Sequence, residues 1–194
     1  MDKFFRWLKA NTALILTLTI SITTVFIYVR QTTLLTQQIK ASSWPYLEIN
    51  LQRGFEQGKL TIFKIVISNK GNGPAIIEKV VVKYKDAPIS KWSDFYKRLI
   101  TPGSMTGHAN ALISQTVIMP GESIVFADWE YNLDFANHAY EYGIFNEVDI
   151  SICYKSTFDE YWTVSRSGFH TNMERTVRTE SNKCSLNSDI YFIE

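Results

Sequence analysis

Three histidines, two cysteines and a scatter of carboxylates are the side chains best equipped for catalysis or metal binding, and their spacing argues against both. His108, His138 and His170 stand far apart. None falls in a His-Glu-x-x-His spacing or beside a nucleophile it could deprotonate. Asp128, Glu130, Asp134, Glu141, Glu147, Asp149, Asp159 and Glu160 gather in one stretch. A hard cation needs several oxygens converging within about 2.5 Å, usually from a patterned loop, and no Asp-x-Asp-x-Asp-Gly run is present. Solvated surface charge is the expectation. Gly71-x-Gly73 leads into Pro74 and a strand pattern, so it offers no helix N-terminus to a phosphate. No catalytic residue, metal or cofactor is expected.

Two residue sets remain. Cys153 occupies an alternating apolar position beside Ile152, which predicts a buried or bridged thiol rather than a nucleophile. With Cys184 the only other cysteine, one disulfide is the most that can form; an exported domain favours it and a cytoplasmic one disfavours it. From Asn132 to Phe145 the chain packs Phe135, His138, Tyr140, Tyr142 and Phe145 among few aliphatic residues. Read as a loop, this stretch presents large rigid rings at low entropic cost. Trp129, Tyr140 and Tyr142 are therefore the candidate binding surface for a protein partner. The competing reading has these rings filling a second small core. The net charge of +1 gives no reason to expect nucleic acid. Arg166, His170, Arg175, Arg178 and Lys183 form a polar excursion, but Glu174 and Glu180 dilute its charge.

The elements that must position these residues begin with an anchor. Ala10–Val29 runs twenty residues without a charge, between Lys3, Arg6 and Lys9 on one side and Arg30 on the other. At about 1.5 Å per residue such a helix matches a hydrocarbon core of about 30 Å, with Trp7 and Tyr28 at interfacial depth. A signal peptide is the alternative, but the bulky Val25-Phe26-Ile27-Tyr28-Val29-Arg30 is a poor cleavage site. The expected organisation is a basic cytoplasmic N-terminus over 1–9, a transmembrane helix over 10–29, a helical stalk over 30–43 and a β-domain over 44–194. The basic flank predicts an inner-membrane, single-pass protein with its large domain periplasmic or extracellular. Thr17, Ser21 and Thr24 recur at i, i+4 and i+7, a face along which two copies could associate in the bilayer.

Beyond Trp44 the apolar period is mostly two. Leu47, Ile49 and Leu51 alternate with polar residues, Leu60–Ser68 reads as a doubly covered strand, and Asn69-Lys70-Gly71-Asn72-Gly73-Pro74 punctuates before Ala75–Lys85. Trp92, Phe95, Tyr96 and Leu99 return at helical spacing, with Ser90 or Ser93 as a cap. Ile113–Met119, Ile124–Trp129, Val148–Tyr154, Tyr161–Arg166 and a last Asp189–Ile193 complete the strand candidates. The expectation is a mainly β protein, an antiparallel β-sandwich with one short amphipathic helix.

The run Ile67-Ser68-Asn69-Lys70-Gly71-Asn72-Gly73-Pro74-Ala75, with the later Met119-Pro120-Gly121-Glu122-Ser123, resembles the turn punctuation of bacterial immunoglobulin-like modules of the CARDB-like and NPCBM-associated kind. That resemblance implies an extracellular, non-catalytic spacer or binding domain. The expected function is a membrane-anchored binding or assembly component of the cell envelope. The alternative is a cytoplasm-facing sensor that oligomerises through its helix, as in a small membrane effector of antiphage defence.

Overall fold

The computed structural model describes residues 6–7, 9–99, 109–169, 176–184, 186 and 190–193, in two compact units divided between Ser42 and Ser43. Lys3, His108, His170, Glu174, Arg175, Asp189 and most of the Thr101–Asn110 loop lie outside the described residues.

The first unit contains the long helix α1 (Thr12–Ser42), with no buried residue. It is long and apolar enough to cross a membrane. Its 31 residues extend about 46 Å, more than a hydrocarbon core of about 30 Å. Helix therefore runs unbroken past Arg30, with no joint between span and stalk. Thr17, Ser21 and Thr24 donate their hydroxyl hydrogens to Ala13, Thr17 and Ile20 carbonyls at 2.7, 2.8 and 2.8 Å, which lowers the penalty of placing hydroxyls in lipid. The donors that this stripe would extend to a second helix are turned back onto its own backbone. Pro45 restricts Trp44 to extended backbone, and α1 stops short of it.

The second unit is built from β1 (Leu47–Glu56), β2 (Lys59–Asn69), β3 (Ala75–Tyr84), β4 (Ala87–Ile89), α2 (Trp92–Leu99), β5 (Ala109–Asn110), β6 (Val117–Ile118), β7 (Ser123–Asp128), α3 (Leu133–Glu141), β8 (Val148–Lys155), β9 (Tyr161–Ser167) and β10 (Thr176–Ser181). One sheet has the order β1-β2-β7-β5; the other runs β10-β9-β8-β3-β4, with β6 also on β3. Every pairing is antiparallel. Alternation explains the layering. Ile49, Phe63, Ile65 and Ile67 of the first sheet share one core with Val80, Val82, Ile150, Ile152 and Val164 of the second. On α2, Trp92, Phe95 and Tyr96 are buried. The Ser90 hydroxyl donates to the Asp94 carboxylate at 2.8 Å ahead of the helix and holds that carboxyl below its ordinary range.

At the end of β2, buried Asn69 ties three segments together. Its Oδ1 accepts from the backbone N–H of Tyr46 and Gly71 at 3.1 and 3.0 Å, and its Nδ2 donates to the carbonyls of Gly73 and Ile118 at 2.8 and 2.9 Å. Every lone pair and proton of the amide is satisfied.

Several elements differ from the sequence reading. The aromatic stretch expected as a loop is helix α3. Asn132 caps it by accepting from the Phe135 N–H, and Gly143, at φ 65°, follows its end. Among the described residues the domain thus carries two short α-helices, not one. Most of Ile113–Met119 is not strand: Gln115 takes φ 61° and leaves only Val117–Ile118 paired. Part of the polar excursion after Ser165, Thr176–Ser181, is an edge strand, β10, paired along its length with β9. The described part of the expected last strand, Ile190–Ile193, is not assigned as one.

Candidate binding surface

Three elements converge at the end of the sandwich where β1 finishes and β2 begins. The β1 register shifts between Gly54 and Phe55, which turns Phe55 out of the alternation and leaves it 50 % exposed. Gln57 and Gly58, both at positive φ, close the turn into β2. There Asn137 of α3 accepts from the Leu60 N–H at 2.8 Å and donates to the Leu60 carbonyl at 3.3 Å, so one amide seats the helix on the strand.

Seated this way, α3 brings Tyr140 against β1. The Arg53 guanidinium donates to the Tyr140 hydroxyl at 3.1 Å. Phe55 meets the Tyr140 ring edge-on at 5.5 Å between centroids. Tyr140 is half-buried by these contacts. Two residues further, just past the end of α3, Tyr142 is 72 % exposed, its ring 4.4 Å from that of His138. Tyr131, 76 % exposed, stands in the 3-10 turn (Glu130–Asn132) just before α3. Large exposed rings held on ordered backbone are suited to burying contact area against another protein at small entropic cost.

Trp129 does not belong to this surface. It has no exposed area, its Nε1–H donates to the Tyr96 hydroxyl at 2.6 Å, and it packs on Trp92 and Phe145 at 5.3 and 5.0 Å. The reason is α3, whose Phe135, Ala136 and Ala139 join the same core. Of the three rings expected at the surface, Tyr142 is open, Tyr140 is shared between surface and packing, and Trp129 is core. Phe55, Arg53 and Tyr131 escaped the sequence reading. Phe55 follows Gly54 and precedes a Gln-Gly turn, a bulge signal; no periodicity marks Tyr131.

Part of the acidic group is engaged in ion pairs. Lys64 reaches Asp128 at 3.1 Å and Glu130 at 2.9 Å, and the hydrogen bonds it donates, first to Glu130 and then to Asp128, hold its pKa above the ordinary lysine range. Lys155 bridges Glu78 and Asp159, each at 3.1 Å, with the same direction of shift from the same cause. Among the described residues no cluster of three or more His, Cys, Asp or Glu is placed to hold a metal ion. Cys153 lies on the face of β8 away from the core yet has no exposed surface; it is joined to Cys184, with the two Cα atoms 5.8 Å apart.

A family model described as Domain of unknown function (DUF8453) matches residues 8–190. No curated protein and no solved structure matches the chain.

Proposed function

We propose that this chain, which belongs to the DUF8453 family, is a membrane-anchored, non-catalytic binding or assembly component of the bacterial cell envelope, with an exported immunoglobulin-like sandwich that captures a protein partner. The observation that carries the reading is the exposed ring group of Phe55, Tyr142 and Tyr131 around the Arg53–Tyr140 pair. Export is supported by the basic flank before α1 and by the pairing of Cys153 with Cys184, since such pairs persist in oxidising compartments. Two antiparallel sheets around one core suit the immunoglobulin-like assignment.

Arg30 and Lys40, on the far flank of the apolar run, favour the opposite orientation and with it a cytoplasm-facing sensor. A C-terminal alkaline phosphatase fusion, compared with a fluorescent-protein fusion, separates the two. Active phosphatase with a dark fluorescent fusion is expected; the reverse overturns the envelope reading. For binding, a photoreactive amino acid at position 142 should cross-link a discrete envelope protein, and Phe55→Ser with Tyr131→Ser should abolish the product without lowering thermal stability. An unchanged cross-link in that double variant removes the rings from the function.

A further inference from the structure

The residues Ile190–Ile193 fill a gap in a sheet edge. The free edge of β3 pairs with β6 at Ala75–Ile76 and with β4 at Val82–Tyr84. Between them the Phe192 N–H donates to the Val80 carbonyl at 2.9 Å, and the Ile193 N–H donates to the Ser90 carbonyl at 3.0 Å. Side chains key the segment into place. Phe192 is buried against Trp92 and Phe126, at 5.4 and 5.3 Å between centroids, and the Tyr191 hydroxyl accepts from Lys79 Nζ at 3.0 Å.

This tail comes from the far side of the sheet. In the order β10-β9-β8-β3, the chain leaving Ser181 must pass three strand spacings to reach β3 and one more to lie along its edge, about 19 Å at about 4.8 Å per strand. The connection of roughly ten residues from Ser181 to Tyr191 can reach at most about 33 Å, more than this crossing requires. Part-way along it, Cys184 is joined to Cys153 of the central strand β8. A short segment that adds two backbone bonds and one aromatic key to a sheet edge is the kind of element that identical chains exchange without losing a contact.

We propose that the β3 edge between β4 and β6 is a docking slot for an extended aromatic tail, filled at rest by the chain's own Tyr191-Phe192-Ile193 and, in assemblies, by the same segment of a second copy. The Cys153–Cys184 bond is the latch that keeps the tail at home. The second copy is the occupant because the slot already fits this segment, and because anchoring in one membrane gives every neighbour an identical tail in the same orientation and at high local concentration. The proposal rests on the anchored-assembly reading only for that concentration, and the test below uses purified protein in micelles, so its outcome is independent of compartment and of the ring surface.

Full-length Cys153→Ser and Cys184→Ser chains, neither able to latch internally, are mixed in detergent with oxidised glutathione, which takes up the two electrons and two protons released as an inter-chain S–S bond forms. The expected product is a covalent heterodimer of twice the 22.4 kDa chain on a non-reducing gel, absent from either variant alone. Adding Phe192→Ala to the Cys153→Ser chain, the tail donor, should remove the product; adding it to the Cys184→Ser chain, the acceptor, should leave it. No heterodimer, or one indifferent to which chain carries the substitution, overturns exchange. A second measurement needs no variant: a fluorescein-labelled peptide of residues 182–194 should bind the wild-type chain after dithiothreitol has reduced the latch, itself becoming a cyclic disulfide, and not before. Equal anisotropy in the two states overturns the slot.

Discussion

Arg166, on the core side of β9, donates from Nη1 to the carbonyl oxygen of Ile49 at 2.6 Å, so a guanidinium from one sheet closes the edge strand of the other. Arg178 of β10 does the same for the Leu47 carbonyl at 3.0 Å, and it lies over the Tyr46 ring at 3.5 Å. Sheet edges left open invite pairing with other chains; here two long cations cap the first half of β1. Arg166→Leu should lower unfolding free energy in urea by about 2–3 kcal/mol, the range for a buried hydrogen bond to a charged group, and increase aggregation on refolding. An unchanged urea midpoint would show that the cap contributes nothing.

The bond between Trp129 Nε1 and the Tyr96 hydroxyl joins the end of β7 to α2 inside the core. Trp129→Phe also leaves a smaller ring and is expected to cost more than Tyr96→Phe. In a double-mutant cycle the two should couple by about 1 kcal/mol. Additive losses would mean that the pair is held by packing alone.

Glycine is required at position 73 for a different reason than at position 121. A Cβ on Gly73 would stand 1.8 Å from the Ser43 carbonyl oxygen, whereas one on Gly121 meets nothing, although its φ of +78° disfavours side chains. Gly73→Ala should cost about 3 kcal/mol, at the upper end for overpacking, and Gly121→Ala about 1 kcal/mol. Thermal denaturation of the two variants tests the ordering.

Burial raises the Tyr154 phenol above its ordinary range, opposed by the hydrogen bond from the Leu47 N–H and by the nearby Arg178 charge. The fold thus favours the neutral phenol. That stabilisation is complete below the unfolded value of about 10 and is lost as pH rises through the higher folded value. Tyr154→Phe should flatten stability above about pH 10 and lower it near neutrality by about 1 kcal/mol, for the acceptor removed from Leu47. A wild-type alkaline limb that survives in the variant would place the titration elsewhere.

Turn chemistry and alternation are local, and they were legible: Asn69–Pro74 carries its glycines where backbones approach, and Leu47–Leu51 alternates as a half-buried strand must. What escaped depends on distant partners. Helix α3 mixes Leu133, Phe135, Tyr140 and two alanines without a clean stripe, and its identity rests on an Asn132 cap and an Asn137 clasp on Leu60. Trp129 looked like a strand-end ring because nothing nearby in sequence announces the helix that covers it. β10 is polar apart from Val177, as an edge strand can be, and only its pairing with β9 reveals it.

The four bonds of Asn69 bear on the order of assembly. The turn from Asn69 to Gly73 carries the chain from one sheet to the other, and the Asn69 side chain also needs Tyr46, 23 residues earlier, and Ile118, 49 residues later. Its geometry becomes fixed only when those remote stretches arrive. The corner with the plainest local signature in the chain is therefore a late event in folding, and any lesion that delays β6 will leave it unset.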